Sequence, residues 1–368
     1  SILLPYKENF SPDYPGAVSL FVYETSKISK YKKNITVFGN TNFTNIFNLK
    51  YVNINLKKDV FTSQTKLYVN KFINLERKYK SSIIEIHNRP SYIHILNSNL
   101  KNRVLTLYFH NDPLSMDGSK SVEQRKKLLK CCYKIIFNSA WSKKRFLEGL
   151  ENKFVNSNKL LIIYQSAKKN NLSIIKHKKK WITFVGKLNK AKGYDIFAKS
   201  IVKVLDRYPD WKAIIIGDEK REKITLNHKN ATILGFKQHN EVLKIFKKTS
   251  ITVACSRWEE PFGRTSLEAS ANGCAVIITN KGGLPETVTD AKIIDNLNEK
   301  NLTKNIISLI ENKTLRKKLQ SLSIQNFYLT HKFVSNNIDN YRSEKLFLKK
   351  KFFLKAKQKS LRILHVTN

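Results

Sequence analysis

Cysteine is scarce in this chain. There are four in 368 residues: the neighbours Cys131 and Cys132, with Cys255 and Cys274 far away. No Cys-x-x-Cys or His/Cys cluster is present, which excludes the common zinc modules, and nothing in the spacing suggests a disulfide framework. A reducing cytoplasm is therefore the expected setting. Long apolar runs are missing as well: none approaches the roughly 20 residues of a membrane-spanning helix. The 41% hydrophobic content still supplies ample core. No tandem repeat of solenoid period is visible, and no convincing Ser/His/Asp triad stands out. Acidic residues are outnumbered, 28 against 68 lysines and arginines, for a net charge of +40. That excess reads as biased residue usage, because Lys, Asn and Ile abound everywhere, or as attraction to an anionic membrane face. Without a concentrated patch it does not specify a nucleic-acid site.

What is present is alternation. The length suits two domains. In the first half, Ile2–Leu4, Ile35–Phe38, Ile83–Ile86, Val104–Phe109, Ile135–Phe137 and Leu160–Tyr164 read as strands separated by helix-compatible segments. Near-continuous Ile, Val and Leu is what parallel strands covered on both faces require. Lys168–Lys180 is polar and basic and reads as an inter-domain linker. Beyond it, Trp181–Val185, Trp211–Ile216, Ala231–Leu234, Ile251–Ala254 and Ala275–Thr279 read as strands, with helices at Tyr194–Tyr208 and Glu241–Lys248.

The stretch Glu259-Glu260-Pro261-Phe262-Gly263-Arg264-Thr265-Ser266-Leu267-Glu268 organises the rest. Pro261 and Gly263 break regular structure between a strand and a helix. Glu260 and Glu268 thus fall on a loop and on the first turns of a helix. Free N–H groups near Gly263, Arg264 and Thr265 suit an anionic phosphate, and a carboxylate accepts from two vicinal hydroxyls. Phosphate donors beside hydroxyl-reading carboxylates suit a nucleotide sugar. Gly186-Lys187-Leu188 ends one strand and Lys192-Gly193 opens the next helix, so two ammonium groups on one loop face a diphosphate.

The Glu-x7-Glu spacing, with Pro-Phe-Gly inside it, resembles the motif of retaining glycosyltransferases of family four. Those enzymes have the GT-B fold, an α/β architecture of two Rossmann-like domains whose parallel sheets face each other across a cleft. The resemblance implies an N-terminal acceptor domain over 1–170 and a nucleotide-sugar donor domain over 171–335. A helix and basic linker over 336–360 follow, and residues 361–368 read as the start of a further domain. It implies that Glu268 binds ribose hydroxyls, Glu260 the donor sugar, and Thr265 with its neighbouring N–H groups the phosphates. Gly282-Gly283 with Glu286 matches a further loop at the cleft, and Gly16 matches a small-residue loop facing the diphosphate. His110, after a strand, resembles a histidine lying near the donor sugar; His87, in a similar cluster, reads equally as a structural loop residue. Lys187 stands where arginine is usual, keeping charge without the bidentate fork.

No Asp-x-Asp stands at a strand end, so no metal ligand is assigned; lysines and a helix terminus supply the charge. No cofactor is expected beyond the nucleoside-diphosphate sugar as donor substrate. The expected reaction is metal-independent, retaining transfer of a hexose-type sugar to a glycan or glycolipid. The alternatives are a nucleotide-sugar epimerase of the same fold and a basic nucleic-acid- or membrane-binding protein with an inactive GT-B fold. Lys345–Arg362 interleaves lysines with Phe347, Phe352 and Phe353, reading as a basic linker or as a contact with an anionic membrane surface. The expected location is cytoplasmic, including the inner face of the cytoplasmic membrane. Leu361–Asn368 resembles the first strand of another such domain, which sets the expectation that the chain is an internal piece of a longer polypeptide.

Overall fold

The computed structural model describes residues 1–56 and 63–346. The N-terminal strands are β1 (Ile2–Leu3), β2 (Val37–Gly39), β3 (Tyr51–Asn53), β4 (Ile83–His87), β5 (Val104–Phe109), β6 (Lys134–Phe137) and β7 (Leu160–Ile162). They pair in the order β3-β2-β1-β4-β5-β6-β7, every pairing parallel. In the second half, β8 (Lys179–Val185), β9 (Lys212–Ile216), β10 (Ala231–Ile233), β11 (Thr249–Ala254), β12 (Ala275–Thr279) and β13 (Ala291–Ile294) follow. Their order is β10-β9-β8-β11-β12-β13, again all parallel. Both are doubly wound sheets whose strand order reverses next to the first strand.

The apolar runs are continuous because each sheet is covered on both faces. Along β9, Ala213 and Ile215 pack with Phe197 and Leu302, whereas Ile214 and Ile216 meet Phe246 and Val276 on the other face. The helix Tyr194–Arg207 buries Phe197, Ile201, Val204 and Leu205 as its periodicity requires. Sequence reading does not find β3 and β13. Both are edge strands, half exposed, and neither needs an apolar run.

Lys168–Lys180 is not a free linker. Leu172–His177 forms a 3-10 helix, and the buried ammonium of Lys178 donates to the carbonyls of Phe246 (2.8 Å) and Asn272 (2.6 Å). The chain crosses between domains at Ala167, which pairs with Thr330 on the returning segment in an isolated parallel bridge. From 331 a helix runs to 346, starting five positions before the boundary expected at 336. It packs back on the N-terminal sheet, where Val334, Ile338 and Tyr341 join Ile2, Leu4 and Tyr108. Arg342 donates to both oxygens of buried Glu85 at 2.7 Å. Burial pushes the Glu85 carboxyl up, but the Arg342 charge together with the hydrogen bonds from Arg342 and Tyr341 outweighs it and holds the pKa low. Apart from Lys345 and Leu346, the basic stretch and the strand expected at Leu361–Asn368 lie outside the described residues.

Candidate functional site

Ligands of open α/β sheets bind beyond the carboxyl ends of the strands where the order reverses. In the second sheet that point lies between β8 and β11. After β8, the loop turns through Lys190–Lys192 into Gly193, whose φ is 72°. A Cβ on Gly193 would stand 1.9 Å from the Cys255 carbonyl oxygen, so only glycine lets this loop approach β11. The carbonyl of Ala191 accepts from the N–H groups of Arg257 (2.9 Å) and Trp258 (3.1 Å), tying the two loops together. Across this junction, Lys192 Nζ donates to Glu260 Oε1 at 2.5 Å.

Glu260 is held from behind. Gly282, with φ 60°, leaves room for the backbone of Glu259–Glu260, where a Cβ would meet the Glu260 carbonyl at 2.2 Å. The Gly283 N–H donates to that same carbonyl at 2.6 Å. The Gly282 N–H donates to the Glu259 carboxylate at 2.6 Å. The helix Arg264–Ala271 then begins, its first-turn N–H groups directed out of the helix start. Glu268 Oε1 accepts from Arg264 Nε (2.6 Å) and His239 Nε2 (2.8 Å). Burial raises the Glu268 pKa, yet the Arg264 and His239 charges and hydrogen bonds prevail and hold it low. The buried Arg264 Nη1 has no protein partner among the described residues.

The facing wall comes from the N-terminal domain. His87 ends β4, His110 follows β5, and His87 Nδ1 lies 3.0 Å from His110 Nε2. Asn88 Oδ1 accepts from the backbone N–H groups of His110 and Asn111, both at 3.1 Å, which fixes the loop that carries the ring. Burial pushes the pKa of His87 down to about 3 and that of His110 well below the usual imidazole value, so both are neutral near pH 7. His110 Nδ1 has no protein partner among the described residues.

One short helix, Ala140–Leu147, helps to join the walls. Its cap Ser139 donates to the Pro261 carbonyl at 2.6 Å. Glu286 accepts from the N–H groups of Ala140 (2.6 Å) and Trp141 (2.9 Å). Its carboxylate thus sits at the positive end of a helix from the other domain.

A cavity of about 270 Å³ results, lined among others by His110, Gly186, Lys192, Glu260, Gly263, Arg264 and Thr265. Seven residues singled out from sequence therefore meet in one place. The others stand around it. Lys187 is exposed on its loop and does not line the cavity. Gly282 and Gly283 support the Glu260 backbone. Glu268 lies beyond Arg264, toward His239 and a neighbouring hollow. Gly16 precedes Ala17, which lines the cavity, while the Glu8 carboxylate accepts from Ser19 N–H at 2.9 Å in the same helix start. Sequence reading misses His239 and Glu8; neither lies in a motif, and only tertiary packing brings them in.

Two doubly wound domains facing across such a cleft define the GT-B glycosyltransferase fold. Residues 166–325 match the family described as Glycosyl transferases group 1, so the C-terminal half carries that family's signature. Spore coat protein SA of Bacillus subtilis is 24% identical over 277 residues, covering 67% of this chain and 74% of that protein. The lipopolysaccharide core biosynthesis mannosyltransferase LpsB of Rhizobium meliloti is 32% identical over 121 residues, 30% of this chain and 34% of its own length. Among solved structures, Anabaena Alr3699/HepE in complex with UDP and glucose matches with TM-score 0.71 at 18% identity, covering 93% of this chain and 99% of that one. Sucrose-phosphate synthase from Thermosynechococcus elongatus matches with TM-score 0.69 at 14% identity, covering 95% and 99%. At these identities the structural likeness establishes the fold.

Proposed function

We propose that the chain transfers a hexose-type sugar from a nucleoside diphosphate to a glycan or glycolipid acceptor, with retention and without a metal. The observation that carries this reading is the Lys192–Glu260 pair, set between β8 and β11 beside the first turn of the helix Arg264–Ala271. In the free protein the two charges satisfy each other. An arriving diphosphate competes for the Lys192 ammonium, and the Glu260 carboxylate is released to accept from sugar hydroxyls. Lys192 and the helix N-terminus then oppose the negative charge that grows on the leaving diphosphate. The bond from the anomeric carbon to the phosphate oxygen breaks as the acceptor oxygen bonds on the same face. The acceptor proton passes to the departing phosphate oxygen. Neutral His110 stands opposite as a hydrogen-bonding group for the sugar.

Glu268 binds the ribose in this reading, sharing a carboxylate already oriented by Arg264 and His239. Titration calorimetry with UDP, GDP, ADP and CDP tests it; the UDP bound by HepE makes UDP the first choice. One nucleotide should bind, and Glu268→Ala should weaken it by about 1.5–3 kcal/mol, the range for hydrogen bonds to a charged group. Unchanged affinity in the variant removes Glu268 from the ribose site.

A further inference from the structure

A second groove, of about 530 Å³, opens at the domain junction beside the cleft. The two hollows are one residue apart along both walls. Asn111 and Glu260 line the cleft, while Asp112 and Glu259 line the groove. Anything seated in the groove therefore ends next to Glu260 and His110, where the donor sugar is placed.

The groove carries two of the chain's four tryptophans, Trp141 from one domain and Trp258 from the other. Trp258 is 52% exposed, and with Trp141 it presents indole surface to the groove. The backbone at both positions is anchored. The backbone N–H of Trp258 donates to the Ala191 carbonyl and that of Trp141 to Glu286, and the Arg145 guanidinium lies 5.7 Å from the Trp141 ring centre. An anchored backbone lowers the ordering cost of binding.

The charge is as telling as the rings. In a chain with 68 basic and 28 acidic residues, this groove holds Lys144, Arg145 and Arg257 against Asp112, Glu148 and Glu259, an even balance. Most of these charges are already paired: Arg145 with Asp112 (3.1 Å) and Glu148 (2.7 Å), and Arg257 with Asp195 (2.7 Å). A phosphorylated ligand finds no surplus of positive charge here, and an acyl chain finds carboxylates and guanidinium groups beside the indoles. A sugar ring fits both features. Its C–H face is attracted to the negative face of an indole, and its hydroxyls bond to oriented carboxylates.

We infer that this groove is the acceptor subsite and that it takes an uncharged sugar ring; the inference rests on the donor reading above. The test uses methyl glycosides of glucose, galactose, mannose, N-acetylglucosamine and rhamnose, with glucose and mannose 6-phosphates as charged counterparts. Tryptophan fluorescence and saturation-transfer NMR are read with and without bound nucleoside diphosphate. At least one neutral glycoside should bind and outcompete the phosphates. Trp258→Ala should weaken it tenfold or more, and Trp258→Phe should restore most of the loss. Nucleoside diphosphate affinity should be unchanged in both variants, which also shows that they fold. Preference for the phosphates, or equal glycoside binding in Trp258→Ala, overturns the inference. Wild type that binds the nucleotide but no glycoside defeats this inference alone. Glycoside binding through Trp258 without any nucleotide binding defeats the donor reading and with it the acceptor role, leaving only the sugar-binding groove.

Discussion

His331 shows how burial decides a charge. Its Nε2 stands 3.2 Å from Glu24, a contact that favours the protonated ring, yet desolvation wins and its pKa falls to about 4. The unfolded chain takes up that proton near pH 6.5, whereas the native protein does not until about pH 4. The contribution is therefore intact above pH 6.5 and is lost as pH falls toward 4. At pH 5 the loss is about 2 kcal/mol, from roughly 1.5 pK units at 1.36 kcal/mol each. His331→Gln should flatten the fall in denaturation midpoint between pH 7 and 5 by that proton's share. An identical slope in wild type and variant contradicts it. Neutral His87 and His110 act in the same direction.

Among elements, the helix Ala140–Leu147 joins the two domains at its start, through Ser139 with Pro261 and through Glu286. Glu286→Ala should raise amide exchange at Ala140 and Trp141 about fivefold, matching the ~1 kcal/mol of a lost helix cap. Mass spectrometry of a peptide spanning 139–147 reads this, and unchanged protection removes Glu286 from the junction. Sequence legibility also divides at this scale. Central strands such as Val104–Phe109 announce themselves because both faces are buried, and Glu260, Gly263 and Thr265 are legible because one short motif carries them. The edge strands Tyr51–Asn53 and Ala291–Ile294 carry no such run. Pairings such as Lys192 with Glu260 or Arg342 with Glu85 join positions far apart in sequence and depend on topology. That Lys187 turns outward while Lys192 turns in is set by Asn189, which accepts from the Lys192 N–H at 3.0 Å, and by the turn at Gly193.

At the scale of the whole molecule, two sheets present their carboxyl edges to one another, and the helix from 331 ties the second domain back onto the first. The Lys192–Glu260 pair lies in the cleft between them, and the claim that this cleft cleaves a nucleotide sugar is the centre of the account. It is tested most directly by following nucleoside diphosphate release from a panel of nucleotide sugars, with neutral glycosides and EDTA present, in wild type and Lys192→Ala. Wild type should release one nucleoside diphosphate regardless of EDTA, and the variant should lose more in kcat than it gains in KM. No release from any donor, or release that Lys192→Ala leaves untouched, contradicts the account.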